Sequence, residues 1–153
     1  MTMKTIRLTY HGTVLSKKNR HITTRQGIVV PDARAKANEA DMVNQFLIQL
    51  KKQGGAAALV KTHTERLVEA QQNGTIYSIR MIIFNETNRR RDLDNQATSI
   101  LDALTKSGAI VDDCARFVRR ILVEYGGIDK EDPRAEIFID EFGQEEKERR
   151  GTI

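Results

Sequence analysis

The sequence predicts an α/β (α+β) protein in which helices pack on one face of a mixed sheet of about four strands, in the order βααβαββ. Two observations lead to this prediction. Four segments show the alternating or densely apolar patterns of strands, and three segments repeat apolar residues at helical spacing. The chain has 153 residues, with no internal repeat and no linker. We therefore expect a single domain over residues 1–153.

The chain opens with a strand that is followed by a basic arm. Ile6, Leu8 and Tyr10 alternate with other residues and predict the strand. Residues 12–31 have no helical period, and short apolar segments on both sides of Gly27 predict a small hairpin or extended arm. We expect basic residues of this arm to follow a phosphate backbone, namely Lys17, Lys18 and Arg20. An exposed, disordered basic loop is the alternative, and the two interpretations are compatible.

Two helices are predicted after the arm. Asp32 is a plausible N-cap for a helix that continues to about Lys52. Its buried stripe consists of Val43, Phe46, Leu47 and Leu50. Residues 56–72 predict a second helix, which Asn73-Gly74 closes.

The second half of the chain alternates strands with one more helix. Residues 76–84 are apolar on both faces, which is typical of a central strand. Residues 95–107 predict a helix, and its core stripe is Ala97, Leu101 and Leu104. Residues 117–125 and 135–142 predict two closing strands, and residues 143–153 form a charged tail.

Charge is distributed unevenly along the chain. The net charge is +4, yet residues 1–31 hold six Lys or Arg and no acidic residue, whereas residues 124–148 hold ten acidic and three basic residues. This asymmetry predicts one face that attracts nucleic acid and another that repels it. Ordinary solvated surface is the alternative explanation.

Two carboxylates stand two residues apart where the central strand gives way to the next helix. Asp92 and Asp94 lie in the segment Arg89-Arg90-Arg91-Asp92-Leu93-Asp94-Asn95. Mg²⁺ prefers oxygen ligands and binds through one or two carboxylates, and guanidinium groups bind phosphate bidentately. The segment therefore predicts metal-assisted chemistry on a phosphodiester. The groups expected to contact the DNA backbone are Arg89, Arg90, Arg91 and Asn95.

A purely structural explanation of these carboxylates is also available. Asp94 could cap the helix, and Asp92 could pair with a neighbouring arginine. The motif becomes specific through its combination with Asp112-Asp113, which lies in the same block of residues 89–113. Within the helix of residues 95–107, the i, i+4 spacing predicts an ion pair between Asp102 and Lys106. A role of Asp102 in organising the acidic site is the alternative.

Several other classes of protein are excluded. The apolar runs are only a few residues long, so we expect no membrane span. The three histidines are scattered, which argues against a zinc site or a histidine base. A lone cysteine, Cys114, excludes an internal disulfide and fits a reducing cytoplasm, where we expect the protein to act.

The block of residues 89–113 resembles the RusA family of Holliday-junction resolvases, which are common in prophages. The resemblance extends loosely to most of the chain, and its motifs are Arg89-Arg-Arg-Asp-Leu-Asp-Asn95, Leu101-Asp-Ala-Leu-Thr-Lys-Ser-Gly108 and Ile110-Val-Asp-Asp113. It implies a RusA-like fold and a homodimeric endonuclease that nicks four-way DNA junctions symmetrically, with Mg²⁺ or else Mn²⁺ as cofactor. It also implies that Asp92, Asp94 and Asp113 are the catalytic, metal-binding aspartates.

One position departs from the family pattern. The family has a functionally important lysine four residues after the second aspartate, where this chain has Thr98. Threonine cannot supply a positive charge to a phosphate. Either Lys106 or an arginine of the 89–91 run therefore replaces the lysine, or activity is weak or directed at a different target. The alternative function is therefore a catalytically weak or inactive protein of the same fold that binds branched DNA.

The helix between the two acidic pairs predicts a site that two subunits share. Residues 95–107 would span roughly 20 Å at 1.5 Å per residue, so Asp113 starts far from Asp94. Two subunits that pack these helices antiparallel across a two-fold axis would bring Asp92 and Asp94 of one near Asp113 of the other. Two such composite sites would nick a junction symmetrically.

Overall fold

The computed structural model describes residues 2–16, 21–54 and 61–143. Its elements are β1 (Thr2–His11), β2 (His21–Thr23), β3 (Val29–Pro31), α1 (Ala33–Lys52), α2 (His63–Asn73), β4 (Ile76–Asn85), α3 (Leu93–Ser107), β5 (Val118–Ile128) and β6 (Arg134–Gly143). Four strands form one sheet in the order β1-β6-β4-β5, in which β5 is parallel to β4 and β6 is antiparallel to β1 and β4. The predicted mixed sheet and the order βααβαββ are confirmed.

The core lies between one face of this sheet and the helices. Alternate residues of the central strand β4 are buried, as its period predicted, and these are Tyr77, Ile79, Met81 and Ile83. Their buried partners on the helices include Met42 and Phe46 of α1 and Ile100 and Leu104 of α3. The long helix α1 begins where predicted, because Asp32 Oδ1 accepts a hydrogen bond of 2.8 Å from the Arg34 amide.

The predicted small hairpin in the basic arm is confirmed. Strands β2 and β3 pair antiparallel, and Gly27 has a φ of 80° in the turn between them. Lys17, Lys18 and Arg20, which we expected to contact DNA, lie outside the described residues, as do residues 144–153 of the predicted tail.

Helix α2 begins later than predicted. The prediction placed its start at residue 56, but Thr62 has extended backbone angles and the helix begins at His63. Thr62 Oγ1 accepts a hydrogen bond from the Glu65 amide, and the Glu65 side chain accepts one from the Thr62 amide. This capping box fixes the first turn at His63. Residues 55–60 lie outside the described part of the chain.

Strand β5 continues past its predicted end at Tyr125. It passes through Gly126 and Gly127 to Ile128, and its register with β4 shifts between Ile83 and Phe84. A Cβ atom on Gly126 would lie only 2.6 Å from the Phe84 ring. Glycine is therefore needed at this position for the strand to continue beside the ring.

The two edges of the sheet differ in how their backbone groups are satisfied. Along β1, α1 covers the outer edge: Gln49 bonds both the amide and the carbonyl of Thr9, and Gln45 does the same for His11. At the other edge, no strand of the described residues pairs with the outer side of β5. Large apolar side chains are exposed along it, from Ile121 at 43% to Ile128 at 54%. An open apolar edge of this length is a surface on which another strand can pair.

Among the described helices, none combines the length and the apolar character that a membrane span requires.

Candidate active site

The predicted acidic pair lies where the central strand leads into α3. Asp92 occupies the N-cap position with extended backbone angles, and Asp94 lies in the first turn. Both side chains are exposed. Both carboxylates thus stand at the N-terminal end of α3, where the backbone amides of the first turn also point outward.

Neither carboxylate acts as a helix cap. The N-cap residue is Asp92 rather than Asp94, and its side chain makes no capping hydrogen bond. Arg90 Nε is 3.9 Å from Asp92 Oδ1, and the Arg90 side chain is 93% exposed, so this ion pair is long and solvated. Asp92 Oδ2 also accepts a hydrogen bond of 3.4 Å from Asn95 Nδ2. The structural explanation by capping is therefore wrong, and the pairing with arginine is weak.

The basic groups around this pair are largely solvent-facing. Arg89 and Arg90 are exposed, whereas Arg91 and Asn95 are partly buried. Exposed guanidinium groups beside two carboxylates could bind phosphate oxygens from the solvent side.

A buried polar network that the sequence analysis missed supports the start of α3. Gln96 is 1% exposed, and its Nε2 donates to the Val14 carbonyl at 3.0 Å and to Asn85 Oδ1 at 2.9 Å. One turn later, Ser99 Oγ donates to the Leu15 carbonyl at 2.8 Å. These bonds fasten α3 to the end of β4 and to the first residues of the basic arm. The sequence held one signal for this network, because Gln96 lies four residues before the buried Ile100 and therefore on the same face of the helix.

The third predicted aspartate lies in the loop that follows α3 in the chain. The helix ends at Ser107 with Gly108 in the left-handed conformation, and Asp113 follows in an exposed loop. Partial burial of its carboxyl, the hydrogen bond and charge of Asp112, and the charge of Asp102 together raise the pKa of Asp113 above its ordinary value. Asp113 therefore interacts electrostatically with the C-terminal half of α3.

One chain does not gather the three predicted ligands. Helix α3 has 15 residues and is about 22 Å long at 1.5 Å per residue. Within residues 2–16, 21–54 and 61–143, no group of three or more His, Cys, Asp or Glu side chains could hold a metal ion. The oxygen donors of Asp92 and Asp94 suit a hard divalent cation, which often uses only one or two carboxylates. Asp113 of the same chain does not complete such a set.

At the position where the family has a lysine, this chain carries a polar, uncharged residue. Thr98 is exposed, and its Oγ1 donates to the Asp94 carbonyl at 3.0 Å. The ammonium of Lys106 bonds Glu39 of α1. Glu39 thus holds Lys106 against α1.

Comparison with known proteins agrees with the motif. The family model described as endodeoxyribonuclease RusA matches residues 11–140 of the chain. A search of curated proteins gives no match.

Proposed function

The chain belongs to the RusA family of endodeoxyribonucleases, and we propose that it resolves four-way DNA junctions by paired, symmetric nicks. In this proposal it acts in the cytoplasm as a homodimer and requires Mg²⁺ or Mn²⁺. The main support is the acidic pair at the start of α3, where Asp92 occupies the N-cap position without capping the helix. A carboxylate that normally satisfies a backbone amide is thus left to serve as a ligand.

Each group of the site has a proposed role. Asp92 and Asp94 of one copy and Asp113 of the other hold the divalent ion. A bound ion of this kind would neutralise the carboxylates and activate water for attack on phosphorus. The exposed Arg89 and Arg90 side chains bind the flanking phosphates. The uncapped amides at the start of α3 add donors for the phosphate oxygens.

The difference between the two edges of the sheet supports a dimer in which the two copies pair along β5. At the β1 edge, glutamines of α1 bond the outward backbone groups, whereas the β5 edge carries exposed apolar residues. Ile121, Val123 and Tyr125 lie beside the core-facing residues of β4, yet Tyr125 is exposed. A second copy that pairs along β5 would cover both the apolar side chains and the open backbone groups.

This arrangement also accounts for the separated aspartates. Helix α3 contacts β5, so a two-fold axis perpendicular to the sheet at the β5 edge would place the α3 helices of the two copies on the same face of the joined sheet and antiparallel. The N-terminal end of one α3 would then lie beside the C-terminal end of the other. Each metal site would take two carboxylates from one copy and Asp113 from the second.

A junction-cleavage assay tests the proposed activity. A labelled four-way junction is incubated with the protein and Mg²⁺, and separately with a chelator added. We expect paired nicks only when the ion is present. Asp94→Asn should abolish the nicks while junction affinity persists, because removing a negative charge reduces repulsion from DNA.

Glu86→Gln is the matched control for this variant. Glu86 is an exposed acid in the loop after β4, so its substitution removes the same charge nearby without removing a proposed ligand. We expect Glu86→Gln to cleave as the unmodified protein does. Loss of both binding and cleavage in Asp94→Asn alone would indicate a structural role for Asp94 and contradict its assignment.

A catalytically weak or inactive DNA-binding protein is the second candidate function. It is favoured by Thr98, whose hydroxyl bonds the Asp94 carbonyl instead of offering a charge to DNA. The same assay separates the two functions. Junction affinity that falls steeply with salt, without nicks at any Mg²⁺ concentration, would favour this candidate.

A further inference from the structure

A cavity of about 540 Å³ opens between the C-terminal end of α2 and the first residues of β4 and β5. Its walls combine apolar side chains with two cations, and the principal residues are Ala70, Ile76, Phe117, Phe142, Arg116 and Arg119. The volume lies within the range of roughly 300–1,000 Å³ that is typical of small-ligand pockets. The acidic pair does not line this cavity, and of its principal residues only Arg119 belongs to β5, the strand of the proposed dimer edge.

We propose that this cavity takes one unstacked nucleotide of the DNA strand that is cut. The base lies against the apolar wall that includes Phe142, and the phosphate is held by Arg116 and Arg119. The inference rests on the proposed function, because it takes the substrate to be DNA. It gives the enzyme a contact that depends on a base, in addition to its contacts with the phosphate backbone.

The chemistry of the walls matches that of a nucleotide. A base offers a planar apolar face that stacks on aromatic side chains, and its phosphate is an anion suited to guanidinium groups. Arg116 and Arg119 are exposed. In the described part of the chain, neither has a carboxylate within salt-bridge distance. Within the described residues, an incoming anion would therefore break no ion pair of either cation.

The cavity lies next to the loop that carries Asp113. A tight turn connects the two, in which the amides of Phe117 and Val118 both donate to the Cys114 carbonyl, at 3.0 and 2.9 Å. Arg116 is part of that turn. A nucleotide in the cavity would consequently be presented beside one of the three proposed metal ligands.

Chemical-shift mapping by NMR tests where a single strand binds. A tetranucleotide of thymidine is added to the ¹⁵N-labelled protein in the presence of a chelator, so that no cleavage can occur. We expect the largest shifts at amides that line the cavity, such as those of Thr75, Phe117 and Gly143. Shifts confined to the start of α3, or no shifts, would overturn the proposal. Contacts from residues 144–153 to the cavity that the oligonucleotide does not displace would overturn it as well.

Matched substitutions test the chemistry of the cavity. Fluorescence anisotropy with the labelled tetranucleotide should show roughly 5- to 100-fold weaker binding for Phe142→Leu, which keeps apolar volume but loses the aromatic face. Phe142→Tyr should retain the affinity. Arg119→Ala should also weaken binding, whereas Lys130→Ala, which removes the same charge at the other end of β5, should not. Equal effects of the two charge substitutions would overturn the specific role of Arg119.

These measurements separate the cavity from the nuclease activity. Binding in the cavity without junction nicking would sustain the cavity and reject the proposed function. Junction nicking by a protein whose cavity amides do not respond would sustain the nuclease and reject the cavity. The dispersion of the amide spectrum of each variant shows whether it remains folded.

Discussion

A mixed dimer with Asp94→Asn in one copy and Asp113→Asn in the other tests whether two subunits share the metal site. Among the described residues of one chain, Asp94 and Asp113 do not come together in a group of three or more side chains that could hold a metal ion. If Asp94 of one copy works with Asp113 of the other, both substitutions fall in the same site of the mixed dimer. The second site of that dimer then keeps all three aspartates.

The expected recovery follows from this symmetry. When equal amounts of the two inactive variants exchange subunits freely, about half of the dimers are mixed and each holds one intact site, so about a quarter of the original sites return. The assay is nicking of a labelled four-way junction with Mg²⁺ after the variants are unfolded and refolded together. The recovered products should be single nicks, because the opposite site of each mixed dimer is inactive.

The matched control mixes Asp92→Asn with Asp94→Asn. These substitutions affect the same half of each composite site, so no combination of subunits restores an intact site and no activity should return. If both mixtures stay equally inactive while subunit exchange is verified with differently tagged copies, the site is not shared and the reasoning is refuted.

Four further predictions concern the surroundings of the site. Gln96→Leu leaves two buried acceptors without a donor and should lower the free energy of unfolding by about 2 kcal/mol; an unchanged urea midpoint would contradict the network. Thr98→Lys restores the charge of the family pattern and should speed junction nicking several-fold, whereas an unchanged rate would show that the neighbouring arginines already supply it. Ile121→Lys at the open β5 edge should give monomers in analytical ultracentrifugation, and an intact dimer would place the interface elsewhere. Burial and the charge of Glu141 raise the pKa of Tyr77 to about 12, so the folded state keeps this proton while the unfolded chain loses it near pH 10. The free energy of unfolding should therefore fall between pH 10 and pH 12, and in Tyr77→Phe this fall should be smaller by roughly 2 kcal/mol. Equal falls in the two proteins, measured by urea titration, would contradict the raised pKa of Tyr77.

The local patterns of the sequence determined most of the elements. Alternation predicted the buried face of β4, and Asp32 predicted the start of α1, because these features depend on neighbours in the chain. The late start of α2 was also encoded locally, in the Thr62 and Glu65 capping box. In contrast, the extension of β5 through Gly126 depends on the Phe84 ring of the adjacent strand. No pattern within β5 itself could have revealed that contact.

The sequence by itself also determined the nuclease motif, because the spacing of acidic and basic residues in one block is a property of the chain. Only the tertiary structure decided how those residues are used. It buried Gln96 at the start of α3, tied Lys106 to Glu39 of α1, and left Asp113 of the same chain outside any group that could hold a metal ion among the described residues. It also covered one edge of the sheet and left the other open. Each of these outcomes depends on which distant segments meet when the chain folds, and the spacing of residues along a strand or helix does not specify such meetings.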